Sequence, residues 1–84
     1  MRLYLQTPPT ADGYPRFYHL FLQEDLLGGW MLVKESGQQG LSGKITKTHF
    51  ADHEQAMAAL VKARDAQTKR GYRVVFVKGD QGPA

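Results

Sequence analysis

Two apolar runs with a short polar break between them constrain this chain most. Residues 16–22 read RFYHLFL, residues 30–35 read WMLVKE, and QEDLLGG lies between them. In the first run Tyr18, Leu20 and Leu22 share one parity and Phe17, His19 and Phe21 the other, a strand period rather than a helical one. Both parities are mostly apolar, so a central strand covered on both sides is expected. In the second run Trp30 and Leu32 fall on one side, Met31 and Val33 on the other. Gln23-Glu24-Asp25 makes a turn and Gly28-Gly29 ends it, a connection short enough to require an antiparallel pair.

The rest of the chain extends this hairpin. Leu3-Tyr4-Leu5 reads as a short strand. The stretch 7–13, TPPTADG, breaks it, because its prolines remove ladder donors and Asp-Gly favours a turn. Residues 36–43, SGQQGLSG, read as a loop that three glycines let turn tightly. Lys44 to Phe50 alternates again as a strand. Asp52 caps a helix whose apolar residues Ala56, Ala59, Leu60 and Ala63 form one stripe, three of them small enough for close approach to a sheet. Gln55, three residues after Asp52, completes a pair like a capping box. Lys69 and Arg70 suit the last turn, and Gly71 is a natural stop. Tyr72 to Val77 closes the chain as a strand. The expected fold class is α+β, an antiparallel sheet packed against one helix. Its expected organisation is an N-terminal strand and proline-rich loop over 1–13, the main domain over 14–77 and a disordered tail over 78–84.

Eighty-four residues make one small domain. The chain has no cysteine, so disulfide, zinc-thiolate and thiol chemistry are excluded. A small domain without such staples, a signal-like apolar stretch or a membrane-length run is expected in the cytoplasm. Gly43-Lys44 resembles the end of a phosphate-binding loop, but position 38 is Gln and position 45 is Ile, where that motif needs Gly and Ser or Thr. His49 and His53 are four apart, yet a strand end and a helix start separate them, which spoils metal-ligand geometry. Glu24 and Asp25 diverge on a turn, and no nucleophile motif surrounds Ser36. The chain reads as a non-enzyme with no catalytic residue, metal or cofactor.

A binding surface remains. Residues 1–42 carry three basic and four acidic groups, whereas residues 43–84 carry eight basic and four acidic. Such asymmetry marks either a polyanion-binding side or the solvated face of a helix. Phosphate contacts need cations and polar donors without sequence choice. The glycine loop and the strand after it supply Gly37, Gln38, Gln39, Lys44 and Lys47 as the candidate nucleic-acid-binding set. Lys44 and Lys47 differ in parity and are expected on opposite faces. Trp30 and Tyr18 can stack on bases or fill a core.

Taken in order, these residues resemble the WGR domain. Gly28-Gly29-Trp30, Gly37, Gly40, Gly43, Phe50, Ala56, Gly71 and Tyr72 fit the family's layout over about positions 14–77. The resemblance implies a sheet of antiparallel strands with one helix, in the manner of stand-alone bacterial members. In eukaryotic poly(ADP-ribose) polymerases the domain touches DNA at a strand break, the signature Trp packs on the terminal nucleotide and the Arg links DNA to the catalytic region. Here Ser36 stands at the Trp position and Gln38 at the Arg position, with Gly37 kept. The scaffold carries over but DNA-end recognition does not, and the family layout together with the basic second half makes a non-catalytic module that contacts nucleic acid weakly and without sequence choice the expected function. The alternative is a protein-interaction adaptor without nucleic-acid binding.

Overall fold

The computed structural model describes residues 1–8, 13–38 and 40–79. Five strands and one helix follow the order β1 (Arg2–Gln6), β2 (Arg16–Glu24), β3 (Trp30–Gln38), β4 (Lys44–Phe50), α1 (His53–Lys69) and β5 (Arg73–Lys78). All five strands form one sheet in the order β4-β3-β2-β1-β5, and every pairing is antiparallel. The α+β architecture is the one read from the sequence. The helix connects the two edge strands and packs on one face of the sheet.

Alternation decides which residues meet the helix. Leu3 and Leu5 of β1, Leu20 and Leu22 of β2 and Leu32 of β3 lie on the helix side, and with Ala56 and Leu60 of α1 they make the core. Leu5, Leu20 and Leu60 are fully buried. Each such leucine contributes about 1.5–3 kcal/mol relative to exposure. The alanine stripe does what its small side chains allow, because Ala56 sits fully buried against the sheet.

The helix ends are built by their own residues. Asp52 is the N-cap, and its carboxylate accepts from the Gln55 amide at 2.8 Å. At the other end the Tyr72 amide donates to the Gln67 carbonyl and the Gly71 amide to the Thr68 carbonyl, each at 3.1 Å. These two bonds are the paired closure of a Schellman motif, which needs a left-handed residue where Gly71 stands at φ +101. The motif aims Tyr72 back toward the sheet.

Two expectations shift and one feature is new. Residues 36–38 are strand rather than loop: Ser36, Gly37 and Gln38 pair with Tyr18, Phe17 and Arg16. Their own propensities are poor, but β2 runs nine residues and offers them ladder partners. A side chain at Gly43 would place Cβ 2.9 Å from the Ser36 carbonyl oxygen, so the returning chain needs glycine there. Second, β2 is central but covered on one side only, since one helix cannot cover two faces. Phe17, His19 and Phe21 stay half-buried by packing on neighbouring rings. Third, the apolar β5 is an edge strand with Val74, Val75, Phe76 and Val77 all exposed. Gln39 and the tail residues 80–84 lie outside the described residues.

The β2–β3 turn is held by one carboxylate. Asp25 Oδ1 accepts from the Leu27 amide at 2.8 Å and the Gly29 amide at 2.9 Å. Those two amides, Gly29's first, hold the carboxyl below its ordinary 3.8. Leu26 and Leu27 stand fully exposed at the tip.

Candidate nucleic-acid interface

The signature end of β3 comes together with three distant pieces of chain. Thr7 follows β1, Arg16 and Tyr18 open β2, Ser36 lies near the end of β3, and Gln67, Arg70 and Tyr72 close the helix. Together they line a cavity of about 430 Å³. Arg16 is fixed by two backbone contacts: its amide donates to Thr7 Oγ1 at 2.9 Å and its carbonyl accepts from the Thr7 amide at 2.9 Å. Tyr18 and Tyr72 meet edge to face at 5.8 Å. Burial, then the neighbouring Tyr72, pushes the Tyr18 hydroxyl above its ordinary 10.0, and the Arg70 charge opposes that shift.

The lining carries two guanidiniums, four hydroxyls and no carboxylate. Among the described residues neither Arg16 nor Arg70 has a carboxylate at ion-pair distance. The helix C-terminus places about half a negative charge at the same end. Two full positive charges outweigh it, and the Schellman bonds already engage the Gln67 and Thr68 carbonyls. The cavity suits an anion with several acceptor oxygens, since guanidinium forks and hydroxyls are all donors to such a group.

The residues expected from the sequence divide around this cavity. Lys44 lies opposite Ser36, on the helix side and next to the cavity. Gln38 pairs with Arg16 at its rim. Gly37 pairs with Phe17 and belongs to the other face. Lys47 pairs with Val33, also on the other face, so the two lysines point apart as their parity requires. Trp30 is half-buried, packs on the core and meets the His53 ring edge to face at 4.6 Å.

Sequence reasoning missed Arg16 and Tyr72 as partners. They lie 56 positions apart and no local pattern links them. The available signal was Gly71, because a left-handed stop sends the next residue back over the sheet. Elsewhere His49 Nδ1 lies 3.4 Å from Asp25 Oδ2, and His19 Nδ1 3.8 Å from Glu35 Oε1. Among the described residues, no group of three or more histidines and carboxylates could hold a metal, and no helix is long and apolar enough to cross a membrane.

A single antiparallel sheet backed by one helix, with a cation-lined recess where the third strand meets the helix C-terminus, defines a small α+β binding domain. The WGR domain model matches residues 1–78, and the chain belongs to that family. It is also similar to an uncharacterised protein, y4dW, of Sinorhizobium fredii, with 28% identity over 72 residues. That match covers 86% of this chain and 35% of the relative, so the chain spans about a third of that protein's length. No solved structure matches. Ser36, which the resemblance sets at the signature's first position, lines the recess.

Proposed function

We propose that this domain is a non-catalytic module that holds nucleic-acid phosphates without reading base sequence. WGR domains are nucleic-acid- and protein-interaction modules. The observation that carries the nucleic-acid reading is the meeting of Arg16 and Arg70 in a recess with no carboxylate in its lining, with Lys44 paired to Ser36 beside it. Gln38 at the rim adds a neutral donor, and Gly37 leaves room for the returning chain, since a Cβ there would stand 3.0 Å from the Gly43 Cα. The signature Trp is replaced by Ser36, so a ring worth about 1–3 kcal/mol per base is lost and charge carries the contact. Such binding is weak and falls steeply with salt.

The test is fluorescence anisotropy of a 5′-phosphorylated nicked duplex, titrated at several salt concentrations. Salt-sensitive binding is expected, with a log–log slope reduced by about 1 in Arg70→Gln or Lys44→Gln. An unchanged slope in both variants, or no binding at low salt, rejects the reading. A second reading, a protein-interaction adaptor, is favoured by Leu26 and Leu27, which stand fully exposed on a rigid turn.

A further inference from the structure

The sheet face opposite α1 carries an aromatic field crossed by a row of cations. The register places Phe76, Tyr4 and His19 side by side on β5, β1 and β2. Phe17 and Phe21 flank His19 on the same side of β2. Tyr4 and Phe17 are nearly parallel, with centroids 6.0 Å apart and planes 4° apart. His19 tilts against Tyr4 at 5.9 Å and against Phe21 at 4.9 Å. Phe76 is 51% exposed. The adjacent row runs Lys78, Arg2, Phe21, Val33 and Lys47 across all five strands. Arg2 lies over the Phe21 ring, its guanidinium carbon 4.7 Å from the centroid. Among the described residues Glu35 is the one carboxylate in these two rows, and it faces His19.

We infer that this open face is a stacking platform for single-stranded nucleic acid, separate from the Arg16–Arg70 recess. The inference rests on the nucleic-acid reading of the domain and deepens it. Rings and a guanidinium plane present π-faces that unpaired bases can cover, whereas the bases of a duplex already cover one another. Three cations in one row match a polyanionic backbone, and a single histidine-engaged carboxylate does not offset them. The row from Lys78 to Lys47 crosses four strand spacings, about 19 Å. That length fits the lower end of single-strand site sizes, about four nucleotides. Lys47, which stands apart from the recess, finds its role here.

The probe is a twelve-residue oligothymidylate with hydroxyls at both ends, which offers bases but no terminal phosphate. In a ¹⁵N NMR titration the amides of Tyr4, Phe17, His19 and Phe76 are expected to shift. Phe76→Ala is expected to weaken binding at least about fivefold without altering the salt slope, because a ring and not a charge is removed. Phe76→Leu keeps apolar bulk without the ring and should match the alanine variant. Both should bind the phosphorylated nicked duplex as the parent does. Shifts confined to residues around Arg16 and Arg70, unchanged affinity in both Phe76 variants, or no binding of the oligothymidylate each overturn the inference. If the oligothymidylate fails while the phosphorylated duplex binds, only the platform falls. If the duplex fails while the oligothymidylate binds through the face, only the recess falls.

Discussion

His19 shows how one side chain ties the open face to acid stability. Burial first, and then the Arg2 charge, hold its imidazole below the ordinary 6.5, while Glu35 pulls the other way. The groups facing it are Arg2 and Tyr4 from β1, Phe21 from its own strand and Glu35 from β3. Above 6.5 the ring is neutral in both folded and unfolded chains and contributes no pH dependence. As pH falls through that value the unfolded chain takes up the proton first, so stability drops with acidification. Urea unfolding at about pH 7.5 and about pH 5.5 should show this fall, and His19→Phe should flatten that part of it. An identical slope in the variant would mean that other groups carry the acid sensitivity.

The elements depend on their ends more than on their middles. Asp52→Ala removes the carboxylate that accepts the Gln55 amide and should lower stability by about 1 kcal/mol, read from the urea midpoint at constant slope. A midpoint within error of the parent would show that water replaces the cap without loss. The Asp52 cap, the alanine stripe and the Gly71 stop were all legible in the sequence, because each is a short-range rule satisfied within one or two turns. The β2–β3 hairpin was legible for the same reason. The strand character of Ser36, Gly37 and Gln38 was not, because it comes from pairing with Arg16, Phe17 and Tyr18 and not from the residues themselves. The recess was half-legible. Lys44 sits on the strand where the pattern put it, but Gln38 was read as loop, and Arg16, Arg70 and Tyr72 join them only through the closure of the sheet and helix. The open face was misread from β2 alone, since half-burial among rings produces the same two-sided apolar pattern as cover by a second layer.

At the scale of the whole molecule, one helix leaves the sheet with an open face and an open edge. Among the described residues no strand pairs with the outward edge of β5, and Val74 to Val77 are exposed. The edge has two protections. The pairing with β1 slips between Tyr4 and Leu5, leaving an extra residue, Val75, that bends the strand. Arg73 and Lys78 stand at the two ends, so a second copy paired antiparallel in the symmetric register would bring each beside the other's counterpart. Salt shortens the reach of that repulsion from about 10 Å at 0.1 M to about 3 Å at 1 M. Sedimentation velocity should therefore show a monomer at low ionic strength and growing association as salt rises, suppressed in Val75→Lys. A monomer at every salt concentration would mean that the bulge alone guards the edge. On the proposed function, ionic strength would act on this domain as a two-way selector: dilute electrolyte would favour attachment to a polyanion, and concentrated electrolyte its own kind.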